Sequence, residues 1–255
     1  METVAIDIQW VETFMLVAKE EDNKLGLEAR INPFNYLVFL RPSIGALESS
    51  LITKPLNKQF LVSVRHKRTH ICQGSIVASR LVIVPAHCVK CQSTGAFDAV
   101  DLQVFGVRRN NREIFDKPNN VSSVKCVEKN PYDNIAMLWL NDHIDHDYYK
   151  ILKLPVTNDL DESEKYVASW GLTGKESKLP ETFETSIVPE HECLKVVGEL
   201  NCQKYFCTLK HKYDICKNDN DAVLVSNNTL IGIATKRGCE TNEEYNVFIR
   251  LSKYL

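Results

Sequence analysis

"FLVSVRHKRTHICQGSIVASRLVIVPAHCV", residues 60–89, is a series of short aliphatic and β-branched runs broken by polar turns. Residues of that kind suit the pleated, half-buried surface of a strand, so the stretch predicts an antiparallel meander. Its last run ends at Pro85, which has no N–H to continue a ladder, and Ala86, His87 and Cys88 follow. A histidine directly after a buried strand is a candidate general base, provided a carboxylate orients it and a nucleophile lies within its reach.

The same texture continues outward. "DLQVFGVR" (101–108), "IAMLWL" (135–140), "YVASWG" (166–171), "AVLVSNNTLIGIAT" (222–235) and "YNVFIRL" (245–251) are further short apolar runs between turns. Many short strands with few helices predict an all-β barrel or sandwich. The clearest hairpin is "VLVSNNTLIGI", two apolar runs about an Asn-Asn turn. Residues 1–57 lack this pattern and are expected to be an N-terminal appendage, with 12–30 a weak amphipathic helix; residues 58–255 form the domain.

Of 255 residues, 44% are hydrophobic and 25% charged, an ordinary globular composition. The net charge of −2 predicts no general affinity for nucleic acid or anionic membranes. No apolar run reaches the roughly 18 residues that span a bilayer. The N-terminus carries acidic residues where an export signal would carry positive charge, yet nine cysteines point to an oxidising compartment. An odd number leaves at least one thiol unpaired within the chain.

Read in order, residues 60–89, "DNIAMLWL", "VASWG", "FCTLKHKYDICKNDNDAVLV" and "LIGIATKRGC" with "YNVFIRLSKYL" resemble the trypsin/chymotrypsin-like serine proteases across about residues 58 to 255. The resemblance implies two antiparallel six-stranded β-barrels with an active site between them, no cofactor and no metal. The family's final helix is expected to be truncated, since the sequence stops at Leu255. The resemblance also implies disulfides Cys72–Cys88, Cys193–Cys207 and Cys216–Cys239, with Cys91 and Cys126 a plausible fourth pair and Cys202 left over.

Carried across residue by residue, the family's base falls on His87, its orienting aspartate on Asn134 and its nucleophilic serine on Asn220. A carboxamide is no nucleophile, and an amide orienter can favour the wrong imidazole tautomer, an effect worth about ten-thousandfold in rate. Asn218 replaces a glycine of the oxyanion hole, and Asp221 and Ala222 replace two more. Asp214 falls at the base of the specificity pocket, whose altered walls include Thr235, Lys236, Arg237 and Asn246. Arg237 is long enough to pair with Asp214 and close the pocket to a basic side chain. No basic residue directly precedes Ile44 in "RPSIGAL", so activation by a trypsin-like cut is not expected, and Asp219 is a candidate partner of His70.

Other motifs admit a chemical and a bland reading. "CVKC" (88–91) has redox or zinc spacing, but the resemblance assigns Cys88 to a bridge. "HIDHD", with His143, Asp145 and His146, has metal-type ligands on a polar loop, and "RHKRTH" (65–70) is a basic run expected to be a solvated hairpin. The expectation is therefore a secreted protein that is no longer an enzyme and acts by binding a protein partner: an active protease, its substrate or an inhibitor. The alternative is a residual or divergent endopeptidase that uses His87 with a displaced carboxylate and another hydroxyl such as Thr235.

Overall fold

The computed structural model describes residues 30–31, 37–38, 58–67, 69–89, 99–106, 121–144, 149–157, 163–170, 180–198, 203–210, 214–216, 221–235, 239 and 244–254. The chain divides into two units, residues 1–56 and residues 57–253. In the first, Arg30–Ile31 (β1) pairs antiparallel with Leu37–Val38 (β2). The end of the expected helix is thus strand at Arg30, and its other residues lie outside those described.

The second unit opens with a closed barrel. Its strands are Leu61–His66 (β3), Thr69–Ala78 (β4), Leu81–Val84 (β5), Leu102–Gly106 (β6), Val121–Lys129 (β7) and Ala136–Leu140 (β8), ordered β3-β4-β5-β8-β7-β6 with β6 returning to β3. Val62, Val64, Cys72, Ile76, Val82, Leu102 and Leu138 fill its interior. β4 is buried from Cys72 to Ala78, so both its faces are covered. Cys72 and Ile76 face the barrel core, while Gln73 and Ser75 face the other way and are equally buried. Gly74 is required there, because a Cβ would fall 2.4 Å from Val82 Cγ1.

Six more strands build the second sheet: Lys165–Ser169 (β9), Glu181–Thr185 (β10), Tyr205–Leu209 (β11), Val223–Ser226 (β12), Thr229–Thr235 (β13) and Tyr245–Arg250 (β14). Their order is β10-β9-β12-β13-β14-β11. The two ends of this sheet meet, for Ile187 bridges to Thr208 and the Val188 N–H donates to Cys207 O at 2.9 Å. Val167, Phe206, Leu224, Ile231 and Phe248 form its core. Asn227 and Asn228 take φ of 45° and 60° at the β12–β13 turn, as a tight hairpin requires.

The expected all-β class with two six-stranded barrels is what the chain forms. One α-helix, Glu190–Val197 (α1), is tied to β11 by Cys193–Cys207, and the described chain finishes in a 3-10 turn at Leu251–Lys253.

Candidate functional site

Why His87 and Asn134 meet follows from strand pairing. β5 and β8 run side by side with Val84 opposite Ala136, so the residues after β5 lie against those before β8. Beyond Val84, Pro85 ends the ladder and a 3-10 turn, Ala86–Val89, closes with Cys88 N–H donating to Pro85 O at 3.0 Å. The turn buries Cys88 and Val89 and leaves His87 exposed. On the other side, Asn130 Oδ1 accepts the N–H groups of Tyr132 and Asp133 at 2.9 and 2.8 Å, and Asn130 N–H donates to Ile135 O. This Asx turn fixes the loop that carries Asn134.

The Asn134 side chain then holds His87 twice. Its Oδ1 accepts the His87 backbone N–H at 2.9 Å, and its Nδ2 stands 3.0 Å from His87 Nδ1. His87 Nδ1 also lies 3.3 Å from Asn134 Oδ1, so the amide meets this ring nitrogen with a donor and an acceptor alike. Donation from Nδ2 puts the ring proton on Nε2, the less useful tautomer for a base, whereas donation from Nδ1 to Oδ1 leaves Nε2 free to accept a proton. Asp133, the nearest carboxylate in sequence, turns away to Lys204 Nζ at 3.6 Å. It supplies no displaced carboxylate to His87.

Of the residues expected to line a specificity pocket, Asp214, Thr235 and Asn246 are described, and Asn246 and Thr235 lie on neighbouring strands of the second sheet. Asp214 Oδ1 accepts the Cys216 N–H at 3.0 Å and lies 3.4 Å from Lys210 Nζ. Asn246 is fully buried, and its Oδ1 accepts the Ile215 N–H at 3.0 Å. Thr235 closes β13, half-buried, opposite Val247. Asn218, Asn220, Lys236 and Arg237 lie outside the described residues. Among the described residues a cation beside Asp214 is Lys210, which sequence reasoning missed because the two are brought together by the fold and not by a helix.

Asp221 is buried and takes the Gln73 N–H on Oδ2 at 2.8 Å; Asn218, beside which its charge is expected to act, lies outside the described residues. His70 Nδ1 is 2.8 Å from Ser63 Oγ; Asp219, its expected partner, is outside the described residues. Cys72, His87 and Cys88 bring three ligand-type atoms within 4.8 Å, but the two sulfurs are bonded to each other and offer no thiolate. His143 is exposed with Nδ1 3.3 Å from Ser79 Oγ, while Asp145 and His146 lie outside the described residues.

The chain carries disulfides Cys72–Cys88, Cys193–Cys207 and Cys216–Cys239. The fourth pairing requires correction: Cys126 is a free, exposed thiol, so no Cys91–Cys126 bridge forms. The β7–β8 register shifts between Val124 and Cys126, and the irregularity leaves both Lys125 and Cys126 facing solvent. Burial and then Glu128 raise the Cys126 thiol above its usual range. Cys91 and Cys202 lie outside the described residues.

Known proteins share this plan. The chain is 27% identical to trypsin Tyr p 3.0101 of Tyrophagus putrescentiae over 76% of its own length and 72% of the relative's. It is 25% identical to trypsin epsilon of Drosophila erecta (75% and 76%) and 23% identical to trypsin alpha-4 of Lucilia cuprina (75% and 76%). These trypsins overturn the expectation that the chain is not an enzyme. That expectation rested on Asn134, on Asn220 and on the glycines replaced by Asn218, Asp221 and Ala222, and exchanging an orienting carboxylate for an amide slows catalysis without removing the imidazole or the fold around it. The trypsin family profile matches residues 53–255, well over half the sequence, and the chain therefore belongs to the trypsin family of serine proteases.

Proposed function

We infer that the protein is a divergent trypsin-like endopeptidase that hydrolyses peptide bonds slowly, with His87 as general base. The observation that carries this reading is the His87–Asn134 pair, which keeps an exposed imidazole held by a side chain in a trypsin-family fold. In this reading the family's aspartate and serine positions are occupied by Asn134 and Asn220. His87 takes a proton from a hydroxyl or water nucleophile as it attacks the carbonyl carbon, and returns it to the leaving amine. With the oxyanion-hole glycine replaced by Asn218, the acceleration over water comes from holding the peptide and His87 in place. The substrates are protein or peptide chains, and the disulfides favour an extracellular setting.

The amide of Asn134 also favours a second role. Where cleavage and not dissociation ends the complex, slow cleavage prolongs it, so the protein would regulate active proteases by competing for their substrates or inhibitors. The test of the main reading is hydrolysis of a fluorogenic peptide library by the purified protein with its disulfides intact. Turnover that disappears in His87→Ala is expected. Turnover no faster than buffer, or unchanged in His87→Ala, would overturn it.

A further inference from the structure

We propose that Lys210 sets the substrate class of this cleft, turning the pocket around Asp214 away from cationic side chains and towards uncharged ones; the proposal rests on the endopeptidase reading above. The β11–β14 register places Phe206 opposite Phe248 and Thr208 opposite Asn246. Phe206 and Phe248 belong to the barrel core, so by strand alternation Thr208 and Asn246 share that inward face. Both are fully buried. Lys210 is the next residue in the same alternation, and its N–H continues the pairing by donating to Glu244 O at 3.0 Å. Its side chain is thereby directed to the end of the barrel, where its Nζ lies 3.4 Å from Asp214 Oδ1.

Side-chain exposures of 11% for Lys210 and 18% for Asp214 make this a largely desolvated pair. The partners are fixed as well as close. The Cys216 N–H also binds Asp214 Oδ1, Asn246 Oδ1 binds the Ile215 N–H, and Cys216 is bridged to Cys239. The carboxylate is thus held against an ammonium from its own chain. A substrate Lys or Arg head group entering here must share the acid with a like charge or expel Lys210 into solvent, and either cost is absent for an uncharged side chain. The buried Asn246 carboxamide beside the neutralised pair gives that face a polar, uncharged character.

Two measurements test this independently of each other. The first compares kcat/KM for peptides that differ only before the scissile bond, carrying Arg, Lys, Gln, Leu or Ala. The second titrates the protein with the fluorescent amidinium p-aminobenzamidine, which needs no turnover. The wild-type protein should cut the uncharged peptides about tenfold or more faster than the Arg and Lys peptides and show no saturable amidinium binding. Lys210→Gln and the shape-conserving Lys210→Met should raise the Arg-to-Leu ratio by about tenfold or more and create saturable amidinium binding. The proposal is overturned if the wild-type protein prefers Arg or Lys, or if both variants, folded by thermal melting, change neither readout. Amidinium binding gained in the variants while no peptide is cut by any form would sink the endopeptidase reading and leave the role of Lys210 standing.

Discussion

Gln73, on β4 of the first barrel, is bonded three times to the second: its N–H reaches Asp221 Oδ2 at 2.8 Å, and its Nε2 reaches Asp221 O at 2.7 Å and Ala168 O at 3.2 Å. Gln73 and Asp221 are both buried, so this joint is made without competition from water. Asp221 directly follows Asn220, which the family resemblance assigns to the nucleophile position.

Removing the Gln73 carboxamide while keeping its bulk, in Gln73→Leu, leaves buried carbonyls at Asp221 and Ala168 without their donor. The expected cost is about 1 to 3 kcal/mol, read as a lower urea midpoint with an unchanged slope.

Asn134→Asp restores an acceptor-only group beside His87 Nδ1. It should fix the proton on Nδ1, free Nε2 as a base and stabilise the imidazolium, raising kcat by up to about ten-thousandfold. A kcat for Asn134→Asp equal to the wild-type value at every pH from about 5 to about 9 would show that the orienting position does not limit the rate.

Cys126 supplies a chemical check. Because burial and Glu128 raise its thiol, alkylation of the native protein should be slow at neutral pH and accelerate as the pH climbs. Cys126→Ser should remove the alkylated peptide that contains residue 126 while leaving the melting temperature nearly unaltered, since the side chain is exposed and unbridged.

Two tyrosines should titrate late. Tyr245 donates to Glu192 Oε2 at 2.7 Å and Tyr166 donates to Glu164, and these bonds push both phenols up to about 12. A raised phenol favours the folded state below its unfolded value near 10, and that contribution is lost as the pH rises towards about 12. Tyr245→Phe should therefore remove one late phenolate signal from an absorbance titration and weaken the dependence of stability on alkaline pH.

Strands with continuous apolar runs, such as β5 and the β12–β13 hairpin, were legible in the sequence because burial on both faces or a tight Asn-Asn turn leaves a local mark. β10, with the sequence ETFET, was not legible: its residues are at most half-buried, and its strand character comes from pairing with β9. β7 escaped for a similar reason, since polar and apolar residues mix across its irregularity. At the site, His87 and Asn134 could be found because each borders a recognisable strand. Lys210 could not be matched to Asp214, for a four-residue spacing carries no meaning outside a helix until a turn folds it back.

The seam at Ile187 and Thr208 has a consequence for how the protein behaves in company. A six-stranded sheet left open would present rows of unsatisfied N–H and C=O groups to any passing extended chain. Here the ends of the sheet satisfy one another, and Cys193–Cys207 fastens the helix that follows directly beside them. A foreign strand can be added at this seam only after the barrel has opened, so the protein can handle extended peptides while resisting their recruitment into its own sheet.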